Sequence, residues 1–204
     1  MGGATGAKGA SDGEIKGTVL QSRLLLARHR LGAAGVERVL RRLPPDDRTV
    51  LKGVVMPIAW YPFALNERLD QAIATELGQG QLGFRALGAQ SAEDNLGETH
   101  RVYMRSRDPH GLLKHTAQIY GLYYKTGYRT YEWVGTTKAV LRTFESRSYS
   151  ATDCLTVVGW HEKAIEMCGG AAPRVEEIRC RAREGDRCEY ACEWRPGSIA
   201  PKAM

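Results

Sequence analysis

The chain has 204 residues, of which 43% are hydrophobic and 25% are charged, as expected for a globular protein with one full core. Its 29 basic residues give a net charge of +6, but they are scattered and not interleaved with aromatic residues, which argues against nucleic-acid binding. The longest apolar run, 54–65, carries two prolines and is too short to span a bilayer, which argues against membrane insertion. The sequence shows no signal peptide, so we expect a cytoplasmic protein.

The first half of the chain is predicted to be mainly helical. Residues 1–13 are rich in Gly and Ala with little to bury, and we expect a disordered tail there. The apolar spacing then predicts a short strand and a series of helices, at 14–19, 20–30, 33–43, a short stretch after Pro45, and 66–77. Gly32 separates the first two helices, and the glycine-rich segment 78–97 gives no clear prediction.

The second half mixes helices and strands. Asp108 and Pro109 form a strong helix start, and that helix is predicted to run to about Lys125. Two hairpins and one helix follow, with strands at 128–134 and 138–146, the helix at 151–167, and strands at 174–182 and 187–194. This order predicts an α+β fold in which N-terminal helices pack on an antiparallel sheet of about four strands. We expect a single domain over 14–195 and a C-terminal tail over 196–204.

Four residues near the C-terminus have the side chains of a zinc site: Cys154, Glu177, Cys180 and Cys188. A hairpin that turns at Glu184 would place Cys180 and Cys188 opposite each other, with Cβ atoms about 4.5–5.5 Å apart. Cys154 would then tie the 151–167 helix to a zinc-bearing hairpin. Three thiolates and one carboxylate leave zinc with a net charge of −2, which the arginines of this hairpin would offset.

Two alternatives stay open for these residues. They are ordinary buried cysteines beside a surface glutamate, or Cys180 and Cys188 form a disulfide, which a reducing cytosol disfavours. Glu177 and Cys180 also differ by an odd number of residues, so a regular strand would point them to opposite faces. Both can bind one metal only if the chain bends or bulges between them.

The segment from Cys154 to Trp194 resembles the 4-vinyl-reductase domain family of small-molecule-binding modules, through Gly159, Glu177-x-x-Cys180, Gly185, Cys188 and Tyr190. Zinc-containing sensory members of that family use Cys, Glu, Cys and Cys as ligands, at spacings that match this chain. The resemblance therefore implies a zinc cofactor. It also implies a dimer related in fold to TRAPP vesicle-tethering subunits and to the haem-nitric-oxide domain. The whole chain resembles a paralogous group of uncharacterised myxobacterial proteins.

The resemblance also suggests a ligand pocket. In phenol-sensing relatives a tryptophan upstream of the first cysteine lines the pocket, and Trp133 holds a similar place here. With Tyr131 on the same strand face, and with Trp60, Tyr61 and Phe63 closing the other side, we expect a small apolar or aromatic ligand. Core packing is the alternative for Trp133. The relatives' phenol-binding histidine has no convincing equivalent.

The sequence contains none of the common catalytic motifs, so we do not expect an enzyme. The leading hypothesis is a zinc-stabilised small-molecule-binding or signal-sensing module that acts through a protein partner. A dimeric TRAPP-like interaction scaffold with no small ligand is the alternative, and exposure of Trp133 to solvent would count against the sensory module and favour the scaffold. A haem or redox protein is a further alternative, with axial-ligand candidates at His100, His110 and His115.

A homodimer is expected from the resemblance and from the long helix that begins at Asp108. The side of that helix opposite its apolar face offers Gly111, Ala117 and Tyr124 for packing on a second copy of the chain.

Overall fold

The computed structural model describes residues 12–96 and 108–197. In its first half the elements are β1 (Glu14–Lys16), α1 (Gly17–Arg41), α2 (Pro45–Lys52), β2 (Trp60–Pro62), α3 (Phe63–Leu77) and α4 (Gln81–Asp94). The two helices predicted on either side of Gly32 form one kinked element, because Gly32 takes φ 66° and ψ −178° inside α1. Helix α4 lies within the glycine-rich segment 78–97, which carried no clear prediction.

The second half contains α5 (Pro109–Tyr123), β3 (Tyr128–Gly135), β4 (Lys138–Phe144), α6 (Ala151–Met167), β5 (Gly170–Arg179) and β6 (Cys188–Pro196). The last four strands form an antiparallel sheet in the order β3-β4-β6-β5, and β1 pairs with β2 in a separate two-stranded sheet. The α+β class and the four-stranded antiparallel sheet are therefore confirmed.

Helices α5 and α6 begin where their capping residues predict. The Asp108 carboxylate accepts hydrogen bonds from the backbone N–H groups of His110 and Gly111, and the Ser150 hydroxyl accepts one from Asp153. The apolar face of α5 is buried at every predicted position, namely Leu112, Leu113, Thr116, Ile119, Tyr120 and Tyr123. This burial fixes α5 against β3 at the edge of the sheet.

Helices α4 and α6 are in extensive contact, and two glycines make the close approach possible. A Cβ atom at Gly88 would lie 1.8 Å from the carbonyl oxygen of Thr156, and one at Gly159 would lie 2.0 Å from that of Arg85. Any larger residue at either position would push the helices apart. Gly159, one of the residues that carried the sequence resemblance, is therefore required by backbone packing.

The predicted tails lie mostly outside the described ranges, and the domain bounds stay a prediction. Gly13 is already buried, and its carbonyl accepts a hydrogen bond of 2.9 Å from the backbone N–H of Phe63. Within residues 12–96 and 108–197, no helix combines the length and the apolar composition that crossing a bilayer requires.

Candidate metal centre and ligand cavity

Three elements bring the four predicted metal ligands together. Cys154 lies in the first turn of α6, Glu177 lies near the end of β5, and Cys188 is the first residue of β6. Cys180 directly follows β5. One possible ligand atom from each of the four residues lies within 4.8 Å of all the others.

The distances between the sulfur atoms suit a tetrahedral metal ion. The Sγ atom of Cys154 lies 3.7 Å from that of Cys180 and 3.6 Å from that of Cys188. Zinc–sulfur bonds of about 2.3 Å in a tetrahedron place two sulfur atoms about 3.8 Å apart. These separations exceed the length of a disulfide bond, and the three cysteines of the cluster are free thiols and buried.

Glu177 and Cys180 are an odd number of residues apart, which would point them to opposite faces of a regular strand, and a β-bulge removes this conflict. The pairing of β5 with β6 shifts register between Glu177 and Arg179, so the strict alternation of side chains is broken at this point. The turn that follows is closed by Glu184, which adopts a φ of 67°, and by Gly185, whose N–H donates to the carbonyl of Cys180. Both side chains can therefore face the same centre.

The carboxylate of Glu177 is poorly satisfied by the protein. Its Oε1 atom is buried and has no hydrogen-bond partner among the described residues, while Oε2 pairs with Arg183. Burial is the main cause that raises the pKa of Glu177, to about 7. Since a buried oxygen without a partner is costly, a cation at the centre would stabilise this carboxylate.

The three thiols differ in acidity because Cys154 is hydrogen-bonded to the other two. These bonds lower the pKa of Cys180 to about 5 and also lower that of Cys188, whereas they raise the pKa of Cys154 well above its ordinary value. The backbone N–H of Arg181 donates to the Cys188 sulfur at 3.4 Å. Metal binding would therefore release the proton of Cys154.

The residues of the predicted ligand pocket have different surroundings in the described part of the chain. Trp133 is 57% exposed beside His110, whose Nδ1 atom lies 2.8 Å from the Tyr131 hydroxyl. Trp60 lies under the ammonium group of Lys16. The Tyr61 hydroxyl accepts a hydrogen bond from the backbone of Met56, and Phe63 is fully buried in the core. None of these five residues lines the cavity that lies between the helices.

This cavity, of about 60 Å³, lies between helices α1, α4, α5 and α6 and strand β3. Its polar lining comes from Arg23, Ser91, Asn95, Thr116, Arg129 and His161, and its aromatic lining from Tyr120, Tyr123, Tyr124 and Trp160. Arg129 and Tyr124 also line a smaller void that Cys154 and Cys188 border. The cavity and the candidate metal centre are therefore neighbours.

His161 is held neutral at the wall of this cavity. Its Nδ1 atom lies 2.7 Å from the carbonyl oxygen of Val157, so it carries the proton that it donates there. Its Nε2 atom then accepts from the Arg129 guanidinium at 3.2 Å. Burial and, second, the charge of Arg129 lower the pKa of His161 to about 3. Both ring nitrogens are therefore engaged.

None of the described residues that line the cavity was predicted from the sequence as a pocket residue, and Arg129 and Tyr124 show why. Arg129 precedes Tyr131 and Trp133 on the same face of β3, and this charged residue in an inward-facing row was the available signal. Tyr124 was predicted on the outer side of its helix. Instead its hydroxyl donates to Asp153 at 3.1 Å, so that part of the predicted dimer surface is wrong. The helix ends at Tyr123, and the changed backbone turns Tyr124 inward.

Solved structures show which fold this is. An H-NOX protein from S. oneidensis, in the Fe(II) ligation state and with three substitutions, has a TM-score of 0.72 and 16% identity, covering 90% of this chain and 98% of its own. The same organism's H-NOX protein in the Fe(II)NO ligation state gives 0.70 and 15%, covering 88% and 99%. The Fe(II) unliganded H-NOX protein from K. algicida gives 0.68 and 14%, covering 90% and 98%. The chain therefore has the haem-nitric-oxide fold to which the resemblance pointed.

No curated protein matches the sequence significantly. A family model described as "Protein of unknown function (DUF2378)" matches residues 61–195, which is more than half of the chain. The chain therefore belongs to the DUF2378 family.

Proposed function

We propose that the protein is a zinc-stabilised sensory module that binds a small molecule in the cavity beside the metal centre and acts through a protein partner. The observation that carries this proposal is the position of Arg129, which borders both the cavity and the void next to Cys154 and Cys188. A ligand in the cavity would therefore act on the same side chains that surround the metal. The shared H-NOX fold and the resemblance to 4-vinyl-reductase domains support this function.

Zinc is the metal that the ligand chemistry favours. Three sulfur ligands and one carboxylate suit zinc, and hard cations such as magnesium and calcium prefer oxygen. The sulfur separations of 3.6 and 3.7 Å and the unpartnered oxygen of Glu177 support a bound ion. Four protein ligands would fill its coordination shell, which favours a structural role over a catalytic one.

Haem does not fit the described residues. This differs from one solved structure of similar fold, which is described as probing the function of heme distortion in the H-NOX family. An axial ligand needs a free histidine nitrogen facing an apolar pocket. His161 is the histidine of the described residues that lines the cavity, and both of its nitrogens are occupied. His110 binds Tyr131 and Thr136 away from the cavity, and His100 lies outside the described residues. The described histidines therefore supply no axial ligand at this cavity.

The zinc part is tested by metal analysis of purified protein and two variants on the same strand. Cys188→Ala should lose the metal, while Cys192→Ala, four residues further along β6 and also buried, should keep about one zinc per chain. Wild-type protein that contains no stoichiometric metal when purified in zinc-containing buffer would contradict the proposal.

The ligand part is tested by a fragment screen using ligand-observed NMR. Val157 borders the cavity, so Val157→Phe should fill it and abolish binding of the hits. Val134→Phe adds the same ring at a position that is 51% exposed, and it should leave binding unchanged. Hits that bind both variants equally would place the ligand elsewhere and defeat this part.

A protein-interaction scaffold is a second candidate, which the exposed side of β3 favours. This strand is at the edge of the sheet, and its Tyr128, Trp133 and Val134 are each about half exposed. Large exposed apolar residues on an edge strand are typical of contact surfaces. Sedimentation of wild type and Trp133→Ser tests it, since loss of a dimer in the variant would support a homodimer through β3, and a monomeric wild type would exclude one.

A further inference from the structure

We infer that the cavity is an anion site and that its ligand is a short-chain monocarboxylate whose carboxylate binds Arg129. This inference rests on the proposed function, because it names the chemical class of the small molecule. The supporting features are the burial of Arg129, the charge of the lining and the size of the cavity.

Arg129 is a buried cation without a carboxylate partner. It is 8% exposed and, among residues 12–96 and 108–197, it forms no ion pair within 4.0 Å. Its Nε donates to Thr143 at 2.9 Å and its Nη1 donates to His161, while Tyr120 and Tyr190 lie beside it at 5.0 and 5.8 Å from their ring centroids. Nη2 has no hydrogen-bond partner among these residues. Since a buried charge is costly unless paired, an anion at this position would stabilise the site.

The buried arginine on α1 makes a useful contrast. Arg23 is 3% exposed and also lines the cavity, but its Nε donates to the carboxylate of Asp70 at 2.8 Å and its Nη1 to the carbonyl of Leu87. The protein thus supplies a counter-ion for one buried arginine and not for the other. Donors of Arg129 are left for a ligand.

The rest of the lining favours a negative ligand. The described lining residues include two arginines and no aspartate or glutamate, so nothing in them repels a carboxylate. The amide N–H groups of Asn95 offer further hydrogen bonds to a carboxylate, whereas the Ser91 and Thr116 hydroxyls already donate to Ser22 and to the Leu113 carbonyl. Val19, Ile119 and Val157 provide apolar contact for a short alkyl chain.

The cavity volume limits the length of this chain. A water-sized probe needs about 10–15 Å³, so a cavity of about 60 Å³ accommodates roughly four to six non-hydrogen atoms. Propionate has this size and carries the required group. Propionamide has nearly the same shape without the charge, so the pair isolates the contribution of the anion.

The test is calorimetric titration of the zinc-loaded full chain with sodium propionate and with propionamide at constant ionic strength. Propionate should bind about tenfold or more tightly than propionamide, because hydrogen bonds between charged groups are stronger than neutral ones. Arg129→Gln should weaken propionate binding by about tenfold to a hundredfold. Arg129→Lys should retain part of it.

Arg142→Gln is the matched control. Arg142 lies on the neighbouring strand β4, on the opposite face, where it pairs with Glu132 and Glu189, so its loss should leave propionate binding unchanged. If Arg129→Gln does not fold, the ratio of propionate to propionamide binding and the Arg129→Lys variant decide.

Three results would overturn the inference. They are equal binding of propionate and propionamide, propionate binding that survives Arg129→Gln, and no propionate binding to wild type. In the last case, loss of zinc from Arg129→Gln would show that this arginine serves only as a counter-charge for the metal centre. A neutral fragment that binds wild type but not Val157→Phe would overturn the carboxylate assignment and leave the proposed function standing. If no molecule binds in the cavity, both the carboxylate assignment and the proposed ligand-binding function are wrong.

Discussion

The candidate metal centre and the cavity are adjacent in the molecule, but their residues come from the chain in different ways. The four candidate ligands come from one segment, Cys154 to Cys188, and a bulge and a tight turn bring three of them together. The cavity is lined by residues from Val19 to His161, on four helices and one strand. Because the candidate ligands lie within one hairpin and the preceding helix, their spacing can be recognised in the sequence. The cavity lies between elements far apart in the chain, so its lining residues show no such spacing.

The largest effect is expected from breaking the metal centre. Cys180→Ser should lose the metal and lower the free energy of unfolding by about 4 kcal/mol, the stabilisation given by a ligand present at a thousandfold over its dissociation constant. Chemical denaturation with and without a chelator measures this. The chelator should bring wild type down to the variant and leave the variant unchanged; a chelator without effect on wild type would contradict a structural metal.

The wall of the cavity is tested by filling the close contact between α4 and α6. Gly159→Ala places a Cβ atom 2.0 Å from the Arg85 carbonyl oxygen, which should lower the free energy of unfolding by about 1–3 kcal/mol. Gly121→Ala is its control, because a Cβ atom there meets nothing within 4 Å and alanine favours the helix by up to about 1 kcal/mol. Denaturation curves that rank the two variants in the opposite order would contradict the packing described.

The neutral state of His161 predicts a pH dependence that belongs to the cavity. Its pKa is about 3 in the folded protein and ordinarily 6.5, so below pH 6.5 the unfolded chain binds a proton that the folded protein excludes. This group should therefore lower the free energy of unfolding by roughly 2 kcal/mol at pH 5 relative to pH 7.5. The charged group that faces it is Arg129, and Tyr190 stacks on its ring.

The pH effect is measured as the difference between wild type and His161→Gln, because acid release of a metal would affect both proteins equally. The variant should lose less stability than wild type between pH 7.5 and pH 5. His29→Gln changes an exposed histidine on α1 and should follow the wild-type profile. Parallel profiles for wild type and His161→Gln would show that His161 is not held neutral.

The smallest effect is expected at Trp133. Because this side chain is 57% exposed, Trp133→Ala should change the free energy of unfolding by less than about 0.5 kcal/mol and leave binding of cavity ligands unchanged. Trp160→Ala removes an aromatic ring from the cavity wall and should weaken that binding. If Trp133→Ala abolished binding and Trp160→Ala did not, the ligand would bind in the pocket predicted around Trp133 and not in the cavity between the helices.

Most of the secondary structure was predictable, because it depends on local signals. Asp108 with Pro109 set the start of α5, the two-residue alternation marked β3 and β4, and apolar spacing identified α3 and α6. Helix α4 was missed because its glycines weaken the helical pattern. At Gly88 a side chain would not fit against the backbone of α6, and at Gly83 a Cβ atom would lie a tight 3.3 Å from Ala74 on α3.

The sequence by itself determined the α+β class, the order of most elements and the set of four residues that meet near Cys154. These follow from spacing over short stretches of chain, where turn and strand geometry limits the possible arrangements. Only the tertiary structure decided that Trp133 lies in solvent and that Arg129 lies at a cavity. Both residues occupy the same face of β3. Their exposure to solvent differs because helices cover the strand at Arg129 and leave it half open at Trp133. Alternation gives the face, and the packing of distant elements decides what covers it.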